Sequence, residues 1–193
     1  LDYRVPGDWS GAAFLLVAGA VAGSVTVVGI DPRSSQADRA IIDALRQCGA
    51  RPRIDGDRIS VEKHPLTAFA FDATHCPDLF PPLVALAANA AGVSRISGVH
   101  RLATKESNRE SALRSEFSRL GLSIAVEGDV MCVTGGVPSG GVVDSHGDHR
   151  IAMAAAVAAL PGSNDVIING DECINKSYPD FFADLASAGV KTA

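Results

Sequence analysis

Charged side chains that could bind an anion and move a proton recur in the loops just ahead of predicted helices. Backbone N–H groups and the helix dipole favour negative charge at such positions, and carboxylates there could exchange protons with a bound substrate. Because a repeated unit brings its helix starts to one end of a domain, these loops predict a site for anionic substrates and acid–base chemistry. The residues concerned are the cations Lys105, Arg109, His149, Arg150 and Lys176 and the carboxylates Asp78, Glu106 and Asp148.

Each carboxylate also has a purely structural interpretation. Asp8, Asp78 and Asp148 occupy one position of the repeat and could all be helix N-caps, which is the interpretation we favour for Asp8. Asp78 follows a proline beside the richest polar loop, so a functional role is equally reasonable there. Lys105 and Glu106 could form an ordinary solvated pair at a helix start.

Other common site types have little support. His146 and His149 lie three residues apart, but no third ligand is indicated, so we expect no metal. Asp148 could simply orient the Arg150 guanidinium. The sequence contains no GxSxG nucleophile motif and no glycine-rich phosphate loop.

Composition limits the class of protein. The 193 residues are 47% hydrophobic and 20% charged, so the chain can bury a sizeable core and is not disordered. A formal charge of −5 without any Lys/Arg-rich run argues against nucleic-acid binding. The four cysteines form neither a CxxC pair nor a disulfide framework, and reduced thiols in a cytoplasmic protein are expected.

Residues 9–30 form an uncharged stretch of 22 residues, long enough to consider a membrane span or a signal peptide. Four glycines interrupt it, and its β-branched second half, 24–28, predicts a strand. The same pattern recurs twice more along the chain. We therefore expect a soluble protein without a membrane partner.

Three segments resemble one another at a period of about 70 residues. Gly23, Gly92 and Gly162 end Ala-rich apolar runs and lie 69 and 70 residues apart. A second set of landmarks, spaced by 72 and 68 residues, is Gly49, Gly121 and Gly189. Two landmarks at one period indicate an internal triple repeat.

Each unit is predicted to be β-α-β-α-β-β. In the second unit the elements are a strand at 69–71, an Ala-rich helix from about Asp78 to Gly92, a strand at 94–99, a helix from about 106 to 120, and a hairpin with strands at 123–126 and 130–134. The Ala-rich helices are apolar nearly all round and should be buried. The third unit stops soon after Gly189, so we expect another part of a longer chain to supply its last strands. Residues 1–193 show no linker and are expected to form a single globular domain of the α/β (α+β) class.

Three segments occur in order along this repeat: 104–109 (TKESNR), 147–153 (GDHRIAM) and 175–179 (NKSYP). Together with 6–10 (PGDWS) and 76–78 (CPD), they resemble the signatures of the 5-enolpyruvylshikimate-3-phosphate synthase family. The resemblance covers essentially the whole chain. It implies one domain of the family's two-domain inside-out barrel fold, built of three such units around buried parallel helices. This chain is similar to the second domain, and a strand from the missing N-terminal domain would complete the third unit.

The resemblance also implies the activity. The family transfers the enolpyruvyl group of phosphoenolpyruvate to the 5-hydroxyl of shikimate 3-phosphate, on the route to chorismate and the aromatic amino acids, without an organic cofactor. By motif, Asp78 would contact the shikimate hydroxyls and act as the base. Lys105 would bind the same substrate, and Glu106 would be the acid–base group facing the methylene carbon.

The family's cationic positions match as well. Arg109, Arg150 and Lys176 would clamp phosphoenolpyruvate, with His149 beside them, and glyphosate would meet the same cations. Asn108 departs from the usual Asp of the family without removing a primary group. Because the family's site lies between two domains, this chain would supply half of it and be inactive alone.

Two other functions stay open from the sequence. A sister enolpyruvyl transferase, acting on UDP-N-acetylglucosamine, shares the fold and the donor. A non-catalytic anion-binding or scaffold domain would need no acid–base group.

Overall fold

A computed structural model describes residues 5–191 of the chain. It has six α-helices and nine strands within that range. The helices are α1 Trp9–Ala22, α2 Ile41–Gln47, α3 Phe80–Ala88, α4 Arg109–Arg119, α5 His149–Ala159 and α6 Phe181–Ser187. The strands are β1 Ser24–Val28, β2 Arg53–Asp55, β3 Arg58–Glu62, β4 Ala70–Asp72, β5 Val93–Ser97, β6 Ser123–Glu127, β7 Val130–Thr134, β8 Gly141–Asp144 and β9 Val166–Asn169.

The core consists of the three Ala-rich helices, which pack against one another in every pair. All nine residues of α3 are buried, as expected for a helix that is apolar on every side. Gly19 lets α1 approach the sheet, because a Cβ there would lie 2.8 Å from the carbonyl oxygen of Val61 in β3. The predicted buried helices are confirmed.

The strands form three separate sheets, one for each unit. Their orders are β1-β3-β2, β4-β5-β7-β6 and β8-β9. In the second, complete unit, β4 and β5 are parallel and the hairpin β6–β7 adds antiparallel strands beside β5. The fold class and the β-α-β-α-β-β unit are therefore confirmed there.

The first and third units are shorter within the described residues. An opening strand of the first unit would precede Val5 and lies outside them. In the third unit β8 and β9 pair in parallel, but no strand follows α6 up to residue 191. The edge of β9 that corresponds to the hairpin-bearing edge of β5 thus has no strand partner in the described part of the chain.

Several predicted boundaries are wrong by a few residues. The helix predicted from about Glu106 begins at Arg109, because the Asn108 side chain accepts from the amide of Ser111 and caps it there. α3 ends at Ala88 rather than at Gly92. The next residue, Asn89, donates from its side chain to the carbonyl of Ala85.

The other errors are of the same kind. α5 ends at Ala159, three residues before Gly162, and β4 lies one residue later than predicted. β5 ends at Ser97 because Gly98, with φ 102°, turns the chain into a 3₁₀ helix.

The uncharged stretch near the N-terminus divides into a helix and a strand. α1 takes Trp9–Ala22 and β1 takes Ser24–Val28, as its β-branched second half predicts. Among residues 5–191, no helix combines the length and the apolar character that crossing a membrane requires.

Candidate active site

The starts of α1, α3, α4 and α5 lie at one end of the domain, where charged side chains from separate units meet. Asp78, in the 3₁₀ turn before α3, contacts Arg150 from the first turn of α5 and Arg109 from that of α4. Asp148, just before α5, contacts Arg109 as well. The prediction that repetition gathers the helix starts is confirmed for these units.

Arg109 is the centre of the cluster. Its side chain is 0% exposed, and its nitrogens contact three carboxylates. Nε donates to Asp148 Oδ2 at 2.8 Å, Nη1 donates to Asp78 Oδ1 at 2.8 Å, and Nη2 donates to Glu106 Oε2. Burial alone would lower the pKa of Arg109, but Asp148, Glu106 and Asp78 outweigh burial and raise it. Arg109 is therefore a permanent cation that organises the carboxylates around it.

Asp148 is both an N-cap and half of a buried ion pair. One oxygen accepts the Arg150 amide at 3.0 Å, and the other accepts from Arg109 and from the Ser107 hydroxyl, the latter at 3.0 Å. Burial would raise the pKa of Asp148, but the Arg109 guanidinium, the Arg150 amide and the Ser107 hydroxyl hold it below its usual value. The interpretation that Asp148 orients the Arg150 guanidinium is wrong, since it binds only the amide of that residue. Ser107 was not predicted to take part.

Asp78 is not an N-cap, unlike its repeat equivalents. Its side chain caps no amide of α3 and instead lies 3.0 Å from Lys105 Nζ and 3.5 Å from Arg150 Nη2. Partial burial would raise its pKa, but Arg150, Lys105 and Arg109 outweigh burial and lower it. Asp78 is therefore an anion between three cations.

Lys105 and Glu106 do not form a pair with each other. Lys105 reaches back to Asp78, and Glu106 reaches forward to Arg109. The interpretation of the two residues as a solvated pair at a helix start is wrong. Glu106 is about half exposed, with 47% of its side chain accessible, so a ligand can reach it.

His149 and Arg150 have unpaired nitrogens in a buried position. Within residues 5–191, three buried side-chain nitrogens lack a hydrogen-bond partner: Nδ1 and Nε2 of His149 and Nε of Arg150. A buried polar group without a partner costs about 1–3 kcal/mol, and such a cost is repaid when a ligand supplies the acceptor. Burial, followed by the charge of Arg150, lowers the pKa of His149, so its ring is neutral at pH 7.

Lys176 lies at the border of the cluster. It ends the 3₁₀ helix Asp171–Lys176, it is exposed, and its Nζ is 3.5 Å from the Gly147 carbonyl oxygen, next to Asp148 in sequence. The eight residues that the sequence predicts for the site therefore share one region.

The start of α1 contributes a feature that sequence reasoning missed. Asp38 is buried and accepts a short hydrogen bond from the Ser10 hydroxyl. Burial raises the pKa of Asp38, although the hydrogen bond from Ser10 and the charge of Arg150 act to lower it. No spacing signal could have identified Asp38, because its partner is 28 residues away.

The described residues contain no group of three or more His, Cys, Asp or Glu side chains arranged to hold a metal ion. The cluster is suited instead to binding a small anion. A small anion could give the unpaired nitrogens of His149 and Arg150 the partners they lack, with Lys105 and Lys176 nearby as further cations. The half-exposed Glu106 could exchange a proton with it.

Comparisons with known proteins point to one family. The family model described as EPSP synthase (3-phosphoshikimate 1-carboxyvinyltransferase) matches residues 1–185. A 3-phosphoshikimate 1-carboxyvinyltransferase from Aeropyrum pernix is 46% identical over 192 residues, covering 99% of this chain and 45% of the relative. One from Dehalococcoides mccartyi is 43% identical, covering 98% of this chain and 45% of the relative.

Solved structures show the same likeness. EPSP synthase from Acinetobacter baumannii superposes with a TM-score of 0.81 at 29% identity, over 95% of this chain and 46% of that one. An enolpyruvyl transferase from Streptomyces tendae, at 21% identity and a TM-score of 0.73, shares the fold. The chain spans about half the length of the curated relatives it matches. The chain belongs to the EPSP synthase family.

Proposed function

We propose that this chain is the C-terminal half of a 3-phosphoshikimate 1-carboxyvinyltransferase and carries the phosphoenolpyruvate side of its active site. The observation that supports this most is the cluster around Asp78. In it, Arg150 and His149 keep buried nitrogens unpaired, and the half-exposed Glu106 offers a carboxylate that a ligand can reach. Such a site suits a small anion that must be protonated while it is held. The product belongs to aromatic amino acid synthesis, and a cytoplasmic location fits that role.

The reaction needs three proton transfers and a strong anion clamp. The methylene carbon of phosphoenolpyruvate takes a proton, so C2 becomes electrophilic, and the 5-hydroxyl of shikimate 3-phosphate attacks C2 as it loses its own proton. The tetrahedral adduct then loses phosphate and one methyl proton to give the enol ether. Positioned carboxylates perform such transfers, and fixed cations stabilise the charge that develops on phosphate.

Asp78 and Glu106 are the proposed acid–base pair. Asp78 is held ionised by its cations, which makes it ready to accept a hydroxyl proton but a weak base while all of them remain. An anion that engages Arg150 would offset one of these charges and raise the basicity of Asp78. Glu106, more exposed, would exchange the proton of the methylene carbon, and Lys105 would hold the shikimate hydroxyls beside Asp78.

Arg150, Lys176 and His149 are the proposed donors to phosphoenolpyruvate. Arg150 is at the N-terminus of α5, where the helix dipole adds to its charge, and its planar fork matches a carboxylate or phosphate. Arg109 is fully committed to carboxylates in this structure, so for it to bind the ligand, Glu106 or Asp78 must release one of its nitrogens. Glyphosate would meet the same cations.

We also propose that a second, N-terminal domain completes the protein. The third unit has a two-stranded sheet where the second has four strands, and Ile167 of β9 is 58% exposed. A strand from the other domain, paired with β9, would cover this edge, and the same domain would bind the phosphate of shikimate 3-phosphate. This chain, residues 1–193, would then be one globular domain of a two-domain enzyme.

Turnover by the full-length protein that carries this chain tests the proposal. We expect enolpyruvyl transfer to shikimate 3-phosphate and not to UDP-N-acetylglucosamine, and a loss of about 100-fold or more in kcat for Glu106→Gln. Glu110→Gln is the matched control, because Glu110 contacts Arg114 on the outer face of α4, and it should keep full activity. Unchanged turnover in Glu106→Gln would contradict the proposed role and favour a non-catalytic anion-binding domain.

A further inference from the structure

A further buried carboxylate lies two turns along α4 from the cluster, at Glu116. Its side chain is 2% exposed, although it is charged and lies outside the site described above. Glu116 is seven residues after Arg109, which puts both on one face of α4, separated by about 10 Å along the helix axis. Both residues face the loop that connects β8 to α5.

Each oxygen of Glu116 accepts a hydrogen bond from this region, one from the last residue of β8 and one from the loop. Oε2 accepts the Asp144 amide at 2.9 Å, and Oε1 accepts from His146 Nε2 at 2.9 Å. The Ser115 hydroxyl and the Arg119 guanidinium are its other partners, at 2.7 and 3.4 Å. Burial would raise the pKa of Glu116, but the Ser115 hydroxyl, the Asp144 amide and His146 lower it, so the side chain stays ionised.

His146 adopts a backbone conformation that its side chain disfavours. Its φ is 53°, and it is the only non-glycine with positive φ within residues 5–191. For a residue with a Cβ this conformation costs about 1 kcal/mol. Two contacts hold it there: its amide donates to Asp144 Oδ1 at 2.6 Å, and its ring donates to Glu116.

The left-handed turn decides where the next residues go. Gly147 and Asp148 follow His146 directly, and α5 then begins at His149. The loop is thus attached to α4 at two points, by Glu116 to Asp144 and His146, and by Arg109 to Asp148. Ser145 also bonds the start of the loop to Asn169 and Gly170, so without Glu116 the residues left free to shift are His146 and Gly147, directly before Asp148.

We propose that Glu116, acting through His146, is a positioning residue that fixes the start of α5 and so sets where Arg150 meets an anionic ligand. The identity of that ligand rests on the proposed function, whereas the positioning of α5 does not. Glu116 itself need not touch the ligand.

The test compares three variants of this chain by amide NMR. His146→Gly removes the contact with Glu116 and tolerates the positive φ, so it should fold as well as the wild type. Glu116→Gln keeps an amide oxygen for the Asp144 amide and an NH₂ group for the His146 ring, so it should stay close to the wild type. His100→Ala is the matched control, because it removes another His–carboxylate pair, with Asp129 at 2.9 Å, away from the cluster.

Two readouts separate positioning from stability. The first is hydrogen exchange of the Arg150 amide, which donates to Asp148 in the N-cap. The second is the affinity for phosphoenolpyruvate and for inorganic phosphate, followed at the Arg150 amide. In His146→Gly we expect exchange about ten times faster and affinity about five times weaker at an unchanged urea midpoint, with His100→Ala unchanged.

Equal exchange and affinity in His146→Gly and the wild type would overturn the proposal. A loss of affinity that merely follows a lower urea midpoint would also overturn it, since the pair would then be structural only. If wild-type Arg150 does not respond to either anion at millimolar concentration, the proposed function is contradicted for this chain. Exchange at Arg150, which needs no ligand, then decides the positioning role alone.

Discussion

The starts of α1 and α5 are equivalent by repeat, and each begins after an aspartate, yet they do different work. Asp8 accepts the amides of Ser10 and Gly11 and, within residues 5–191, makes no ion pair. Asp148 also accepts an amide, but its second oxygen binds a fully buried guanidinium. The N-cap is therefore the structural role that Asp8 and Asp148 share. A role in binding or catalysis depends on whether a neighbouring unit supplies a cation.

Asp78 shows the opposite departure. It caps no amide and contacts three cations, because it lies within the 3₁₀ turn Pro77–Leu79 and not at the N-cap position of α3, which is Leu79. One repeat position thus yields a cap, a cap with an ion pair, and an ion cluster. The same substitution, Asp to Asn, separates these three cases.

The largest effect is expected for Asp148→Asn. The amide side chain can still cap α5, but it leaves the buried Arg109 without the one carboxylate partner that is itself fully buried. Breaking a buried pair from one side costs about 3 kcal/mol or more, so the free energy of unfolding in urea should fall by that amount. Arg95→Met, which breaks the exposed pair with Glu127, is the control and should cost less than about 1 kcal/mol. Similar costs for both would show that the Arg109 pair is not special.

Asp78→Asn should change binding more than stability. Asp78 competes with any anion for Arg150 and Lys105, so its removal frees these cations. We expect affinity of this chain for inorganic phosphate to rise about fivefold, the equivalent of about 1 kcal/mol, measured by calorimetry. Asp72→Asn, on an exposed aspartate that binds only Thr74, should change nothing. Weaker phosphate binding in Asp78→Asn would contradict the competition.

Acid should weaken the α5 end of the domain in two steps. Because the pKa of His149 is lowered in the folded protein, the unfolded chain binds a proton on this side chain at a higher pH than the folded chain does. Stability therefore falls as the pH drops below the unfolded pKa of about 6.5. The lowered pKa values of Asp148 and Asp78 add a second fall below about pH 4.

Urea unfolding from pH 7 to pH 3 measures both steps. His149→Gln should flatten the first step and leave the second, whereas Asp148→Asn should reduce the second step, to which Asp78 still contributes, and leave the first. The same pH dependence between pH 7 and pH 5 in the wild type and in His149→Gln would show that His149 is not buried in its neutral form.

The smallest effect is expected for Asp8→Asn. Asn and Asp cap helices about equally well, so the free energy of unfolding should change by less than about 0.5 kcal/mol. Anion affinity should not change either. Asp8→Ala would cost about 1 kcal/mol because the cap is lost. A large loss in Asp8→Asn would mean that the charge of Asp8 matters and that the starts of α1 and α5 are alike after all.

Local patterns in the sequence explain most of the fold. The buried helices and the hairpin β6–β7 follow from apolar runs and from turns whose partners are a few residues apart, and these were predicted closely. The family motifs also identified which residues would gather. The pairing inside the cluster was not predictable, since Arg109 and Asp148 are 39 residues apart. The cap at Asn108 likewise overrode the helix pattern and left Lys105 and Glu106 free to reach different partners.

The difference between the two helix starts is tested most directly by titrating this chain with phosphoenolpyruvate and following every backbone amide. We expect the shifts at Lys105, His149, Arg150 and Lys176 to exceed those at residues 8–11, where the start of α1 contributes no cation. Equal shifts at the start of α1, or no shift around Arg150 at millimolar ligand, would contradict this expectation.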